Sequence, residues 1–288
     1  PPEDVTVIVN TADDLALHGL HISPDVDSVL YWLAGVADRE RGWGRSGESF
    51  RTLEELERLG GESWFGLGDL DLATHLFRTQ QLAGGRTLEE ATASLSRTLG
   101  VTVRVIPMSN DRVETRISYA ADGELVERSF QEYWVRAGGP DTVKSVRFDG
   151  VEAAAPPRAA LEALASADAI VVCPSNPIVS IGPILAVPGL RDAVRREVTV
   201  GISPIVAGAP LRGMADRLMP ALGYEVTALG AARVHVAVLG AWLIDEKDRS
   251  LARVIGSELG VNVGVADTVM SDDEDAERVA RRALELLP

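Results

Sequence analysis

The stretch Ala169-Ile-Val-Val-Cys-Pro-Ser-Asn-Pro-Ile-Val-Ser-Ile-Gly-Pro-Ile-Leu185 runs from β-branched residues into a proline-, serine- and glycine-rich turn and back to apolar residues. An unbroken apolar run such as Ala169–Cys173 predicts a strand buried on both faces, because a half-buried strand would alternate. Pro183, directly after Gly182, suits the first turn of a helix, where its missing N–H leaves no bond unmade. Strand, rigid turn and helix in succession form the unit from which parallel sheets are built.

The same alternation continues on both sides. Downstream, the pattern predicts a helix over 157–166, a strand at 169–173, a helix over 183–196, a strand at 198–203 and a helix over 210–222. Strands near 241–245 and 261–265 and a helix over 273–287 follow. Upstream, Val5–Val9 is a second β-branched run, and helices are predicted over 51–60, 69–83 and 87–99. Thr87 with Glu90 makes a capping box for the last of these, and Gly100 a stop. From Val101 to Gly150 the pattern is β-rich instead: 101–106, 113–119, 124–135 and 143–148, with Asp122-Gly123 as a hairpin turn. The fold class is therefore α/β, a Rossmann-like parallel-sheet core. Its first part covers 1–100 and its second 151–288, with a β-rich insertion over 101–150. Opening directly on a strand points to an upstream element outside this sequence.

Composition narrows the function. The 288 residues, 46% hydrophobic, exclude a disordered chain. No apolar run approaches the ~20 residues of a membrane-spanning helix, and the N-terminus lacks the regions of a signal peptide. With one cysteine no internal disulfide forms, which fits a reducing cytoplasm. Against 28 basic residues stand 43 acidic ones, a net −15 that argues against nucleic acid or an anionic membrane as partner.

Ligands of a parallel sheet bind beyond the carboxyl ends of its strands, and three such ends are unusual. After Val5–Val9 come Asn10, Asp13 and Asp14, then Asp25 and Asp27: four aspartates within fifteen residues. Either they hold a hard cation such as Mg²⁺, which in turn clamps phosphate, or they cap helices and turns. The second end offers Ser175, Asn176, Pro177 and Ser180 with backbone N–H groups, either a phosphate seat or a stiff turn. The third, Gly201–Pro210, repeats the theme with Ser203, and Arg212 falls just inside the predicted helix. Asp69, Asp71 and His75 sit at the start of another helix, as cap or as ligand contact. Phe130–Trp134 is aromatic enough either to line a flat-ring pocket or to cover core. The four histidines have no zinc-like spacing, Cys173 reads as inert packing, and no Gly-x-Ser-x-Gly occurs.

Taken in order, "VNTADDLALHGLHISPDVDSVLYWLAG", "RGWG", "WFGLGDLDLATHLFRTQ", "IPMSNDRVETRI", "FQEYWV", "CPSNPIVSIGPIL", "GISPIVAGAPLRGMADRLMPALG" and "ADTVM" span nearly the whole chain. The set resembles the CofD/FbiA transferases of deazaflavin coenzyme F-420 biosynthesis. That resemblance implies a reaction that the residues alone do not supply. A guanosine diphosphate-activated three-carbon acid donates its phospho-acid group, phospholactyl or phosphoenolpyruvyl, to the ribityl hydroxyl of the deazaflavin Fo, and GMP leaves.

It further implies Mg²⁺, a homodimer, and Asp13 and Asp27 as metal ligands or as groups orienting the hydroxyl. Asp14 and Asp25 would support them. Ser175, Asn176, Pro177 and Ser180 would cradle phosphates or face Fo, and Asp69, His75 and Trp134 would line the pocket. The chain departs from the family twice. The strand and Gly-rich loop that normally precede Asn10 are not in this sequence. Gly66 also stands where archaeal relatives often carry lysine, a form closer to the bacterial branch. Two rivals fit less well. The YvcK-type nucleotide-sugar-binding regulators carry a "GPGSLYTS"-like run where this chain has "CPSNPIVSIG". An NAD(P)-dependent oxidoreductase would need a G-x-G-x-x-G opening a helix.

Overall fold

The structure, a computed structural model, describes residues 1–288. It divides into two compact units. The first comprises Pro1–Ile117, Glu127–Pro140 and Arg147–Ala160; the second comprises Ser118–Val126, Asp141–Val146 and Leu161–Pro288.

In the first unit β1 (Thr6–Val9) leads through a hairpin of β2 (Leu15–Leu17) and β3 (Leu20–Ile22) into α1 (Pro24–Leu33). The hairpin turns on His18 and Gly19, both at positive φ, the twist that a two-residue connection requires. Neither this hairpin nor α1 follows from the apolar pattern, because the start of α1 is acidic. α2 (Arg51–Arg58), α3 (Asp69–Ala83) and α4 (Leu88–Thr98) follow, then β4 (Arg104–Pro107). The Thr87–Glu90 capping box opens α4 with both of its hydrogen bonds. β4 pairs in parallel with β1, from Thr6 opposite Arg104 to Val9 opposite Pro107. This corrects its grouping with the β-rich insertion, since an alternating strand does not reveal its partner. Val9, Val26, Leu30, Leu95 and Val105 form the core of this layer.

The insertion proper is a three-stranded sheet of β5 (Glu114–Ala121), β6 (Glu124–Ser129) and β7 (Val143–Asp149), ordered β6-β5-β7. Asp122 and Gly123, at φ 51° and 83°, make the expected turn. The predicted strand over 124–135 ends at Ser129, and Glu132–Arg136 winds into a single helical turn.

After α5 (Arg158–Ser166), β8 (Ile170–Val172) enters the four-stranded sheet of the second unit, ordered β13-β12-β9-β8 and parallel throughout. Its other strands are β9 (Thr199–Ile202), β12 (Ala241–Asp245) and β13 (Asn262–Ala266). β9 and β12 are buried along their whole length, as their continuous apolar runs require. β8 is instead an edge strand, with Val171 and Cys173 exposed. Hydrophobicity alone cannot tell an edge strand from a central one.

The predicted 183–196 helix is two short ones, α6 (Gly182–Ala186) and α7 (Leu190–Ala193), separated by Pro188 and by Gly189 at φ 88°. The predicted 210–222 helix is likewise shortened. β10 (Ile205–Val206) and β11 (Ala209–Pro210) form a hairpin, and α8 (Ala215–Ala221) begins beyond Gly213. α9 (Ala228–His235) and α10 (Ala252–Leu259) complete the crossovers. α11 (Asp273–Leu284) packs Val279 and Ala283 on Val200, Ile202, Ala241 and Leu243. No helix is long and apolar enough to cross a membrane.

One glycine in this sheet is required by close approach. A Cβ on Gly201 would lie 2.4 Å from the ring of Trp242, which is itself buried and donates its indole N–H to the Ala228 carbonyl at 3.2 Å. The ring cannot yield without losing that bond. Gly201→Ala is expected to lower unfolding stability by about 1–3 kcal/mol, read as a lower urea midpoint at unchanged slope. An unchanged midpoint would show that the strand moves instead.

Candidate active site

The four aspartates at the end of β1 do converge, and Asn10 organises them. Its amide Nδ2 donates to Asp13 Oδ2 and to Asp25 Oδ2, each at 3.0 Å, while its Oδ1 accepts the Ala12 N–H at 2.9 Å. Two carboxylates therefore meet on one amide. Asp13 Oδ1 is buried without a hydrogen-bond partner. Burial first, and the Asp25 charge second, hold the Asp13 carboxyl well above the usual carboxylate range. Burial likewise pushes Asp25 up to about 6.

Asp14 points to a different set of partners. Its Oδ2 accepts the Ser23 hydroxyl at 2.7 Å and pairs with His21 Nε2 at 2.8 Å, while its Oδ1 is buried and unpartnered. The Asp14 carboxyl is raised by burial against the opposing pull of His21. Gln131, on the single turn after β6, donates to the Asp13 carbonyl at 3.4 Å. Trp134 is half-buried on that same turn.

Asp27 is bound otherwise. Both of its oxygens take the guanidinium of Arg78, one through Nη1 at 3.0 Å and the other through Nη2. His75 Nδ1 lies 3.4 Å from Asp27 Oδ2. Burial pushes the His75 imidazole down to about 4, so it is neutral at physiological pH. Arg78 and His75 belong to α3, whose inward face is polar: Asp71, Thr74, His75 and Arg78 are all buried. Asp71 is pushed up to about 6, chiefly by burial.

Packing before α3 explains the glycines of "WFGLGD". A Cβ on Gly66 would meet the Trp43 ring at 2.8 Å, and one on Gly68 would overlap the Glu48 side chain. Trp43 in turn stacks under Arg41, whose guanidinium lies 5.2 Å from its centroid. A lysine at position 66 would require Trp43 to move. Asp69 faces away from the aspartates. It accepts the Ser49 hydroxyl and, at 3.1 Å, the Thr52 N–H in the first turn of α2, while Glu48 accepts the Leu70 and Asp71 N–H groups of α3. Each helix is thus capped by an acid from the other's approach.

In the second unit the polar strand exits are largely spent on their own backbone. Asn176 Oδ1 accepts the Ile178 and Val179 N–H groups at 2.9 and 3.3 Å, and Pro177 occupies the next position, buried. Ser175 and Ser180 are half-buried. Ser203 is buried and its hydroxyl bridges the Ile205 carbonyl and N–H. Arg212 is not inside a helix but exposed in the loop before α8, because Gly213 at φ 80° breaks the chain there.

Sequence reading missed Arg78 and Gln131 in the acidic array. An arginine in a helix and a glutamine in an aromatic run carry no signal of their own, and only the fold brings them to the aspartates. No three His, Cys, Asp or Glu side chains are placed to hold a metal ion by themselves.

The family model described as "2-phospho-L-lactate transferase CofD" matches residues 2–282. The phosphoenolpyruvate transferase of Streptomyces griseus subsp. griseus is 45% identical over 290 residues, covering 99% of this chain and 91% of that protein. The 2-phospho-L-lactate transferase of Methanosarcina acetivorans is 39% identical over 280 residues, 97% of this chain and 90% of that protein. Among solved structures, a member of the UPF0052 family from Bacillus halodurans superposes with a TM-score of 0.62 at 19% identity. It covers 96% of this chain and 90% of that one, a likeness of fold alone.

The raised carboxyls set a pH dependence. Asp25 and Asp71 titrate at about 6 when folded and at 3.8 in the reference state, so the folded chain holds more protons between those values. Stability present below the lower value is lost as pH rises through the upper one. Asp25→Asn keeps an acceptor for Asn10 and removes one of these groups. It is expected to flatten the fall in denaturant midpoint over that window and to raise the midpoint at neutral pH. An identical pH profile for variant and parent would contradict the assignment.

Proposed function

The chain belongs to the 2-phospho-L-lactate transferase CofD family, and from that premise we propose that it transfers a phospholactyl or phosphoenolpyruvyl group from a guanosine diphosphate-activated donor to the ribityl hydroxyl of Fo, releasing GMP. The observation that carries this reading is the 45% identity over 99% of the chain to a phosphoenolpyruvate transferase. The same identity favours the phosphoenolpyruvyl donor over the phospholactyl one. The reaction belongs to coenzyme F-420 biosynthesis in the cytoplasm, and the family resemblance implies a homodimer.

The acidic array suits Mg²⁺. Its donors are hard oxygens, and the buried, unpartnered Oδ1 of Asp13 is an acceptor lacking a ligand. Asp13 and Asp25, brought together on Asn10, would hold the ion. Asp27, the other carboxylate expected there, has both oxygens on Arg78. With two protein carboxylates the remaining positions fall to water and to donor phosphates, the usual arrangement for Mg²⁺. When bound, the ion offsets the charge that develops on the diphosphate.

The chain's own residues orient the acceptor and take its proton. We assign the proton to Asp14 Oδ1, which has no partner, while Ser23 and His21 fix the other oxygen. Ser175, Ser180 and Arg212 remain as polar groups for phosphate or Fo. Asn176 offers its amide N–H₂, and Pro177 shapes the turn. Ser203 acts only through the backbone it holds, His75 and Trp134 shape the walls, and Asp69 holds the start of α2.

Incubation of the protein with Fo, Mg²⁺ and each donor, followed by mass spectrometry, is expected to give the phosphodiester product and GMP, fastest with the phosphoenolpyruvyl donor. Asp14→Asn is expected to lower kcat about 10²–10⁴-fold with little change in KM. A protein that ignores Fo and binds nucleotide sugars would overturn the reading.

A further inference from the structure

The turn of the β10–β11 hairpin carries an alanine where its backbone calls for glycine. Its two central residues, Ala207 and Gly208, both lie at positive φ, 51° and 82°, while Val206 pairs with Ala209 and Ile205 with Pro210. A two-residue connection of this hand favours glycine, asparagine or aspartate at both places, because a Cβ strains a left-handed backbone. Gly208 meets that demand and Ala207 does not. A contact from outside the hairpin has to hold the alanine there.

Asp248 supplies it. This residue is buried in the 3-10 turn Glu246–Leu251 that follows β12, and its Oδ2 accepts the Ala207 N–H at 2.9 Å. A carboxylate accepting a backbone N–H is a charge-assisted bond, about twice as strong as a neutral one. Asp245, three residues earlier and also buried, does the same on the other side. Its Oδ2 accepts the N–H and the hydroxyl of Thr268, beyond β13, at 3.0 and 3.2 Å. β12 lies between β9 and β13, so the one turn after it ties down the exits of both neighbours.

The base of the hairpin is fixed to the same strand, where the Ser203 N–H donates to the Leu243 carbonyl at 2.9 Å. With base and tip both held, the outgoing arm Pro210-Leu211-Arg212 has a set direction as far as Gly213 at φ 80°. Arg212 is exposed beyond the carboxyl end of β9, the side on which such sheets bind ligands. A long guanidinium side chain engages phosphate best where its backbone is already ordered, since ordering it on binding costs affinity.

We infer that Asp248 is a positioning residue of the transfer reaction: by holding Ala207 in its left-handed turn, it sets the hairpin arm that presents Arg212 to a phosphate of the donor. The inference rests on the transferase reading for its reaction, and on the hairpin for its geometry.

The test compares Asp248→Ala, Asp248→Asn, Arg212→Ala and the pairs Asp248→Ala/Ala207→Gly and Asp248→Ala/Arg212→Ala in the full chain, with Fo, Mg²⁺ and the phosphoenolpyruvyl donor. Asp248→Ala is expected to raise the donor KM about tenfold with kcat within about threefold, the pattern of a lost binding contact. Asp248→Asn keeps an acceptor and stays within about threefold of the parent. Glycine takes the left-handed turn unaided, so adding Ala207→Gly to Asp248→Ala should bring the donor KM back to within about threefold of the parent. Arg212→Ala should cost at least as much as Asp248→Ala, and the pair no more than Arg212→Ala, because both remove the same contact. A parental donor KM in Asp248→Ala, no rescue by glycine, or effects of Asp248→Ala and Arg212→Ala that multiply would each overturn the inference.

Amide hydrogen exchange reads the anchoring with no donor present. The Ala207 N–H should exchange about tenfold faster or more in Asp248→Ala than in the parent; an unchanged rate sinks the idea. Should Asp248→Ala not fold, Asp248→Ser, too short to reach the hairpin, takes its place throughout. If the parent transfers nothing from any donor, the functional reading falls, and the same variants are compared by their Kd for GDP. GDP that binds the parent and Arg212→Ala alike overturns the inference, and a weaker Kd in Asp248→Ala that glycine restores upholds it.

Discussion

The bidentate contact between Arg78 and Asp27 constrains α3 more than any apolar contact does. A guanidinium and a carboxylate withdrawn from water cost several kcal/mol each, recovered only when geometry and hydrogen bonds are good. Both Asp27 oxygens are engaged, so the geometry is good on that side. Having committed its polar residues inward, α3 must turn Leu70 and Leu76 outward. Its inward side is mixed, since Leu72 and Phe77 pack on apolar clusters beside the buried Asp71, Thr74, His75 and Arg78. The polar part of that side lies over the acidic array, and the apolar part over the core.

That mixed side also explains what was legible in the sequence. The helix over 69–83 could be placed to the residue, because its composition is helical whichever face is buried. Which side faced the site could not be read, since buried Arg78 looks the same in sequence as any solvated arginine. The aspartates were legible because acids gathered after a β-branched run have few structural uses. Their division of labour was not, for it depends on Asn10 choosing Asp13 and Asp25, and on Arg78 choosing Asp27. β12 and β13 were found at nearly their true bounds because continuous apolar runs have one reading. The 183–196 and 210–222 helices failed at Gly189 and Gly213, whose left-handed backbone outweighs the apolar spacing around them.

The proline- and serine-rich exits in the second unit illustrate a different limit. Side chains that look available for a ligand are also the residues that tie off turns. Asn176 caps its own turn and Ser203 bridges its own, so the capping reading holds for those oxygens. What such turns still offer is a fixed backbone, and Ser175 and Ser180 on it.

The acidic balance of the chain is a poor guide to the field at the array. Asp27 is cancelled by Arg78, and His75 is neutral. Asp13, Asp14, Asp25 and Asp71 are all held above the usual carboxylate range. Burial is the first cause in every case, and burial also removes the water that would screen what charge remains. The array is therefore a place where charge acts at close to full strength. A surface cluster of the same residues, screened by water, would lack that property.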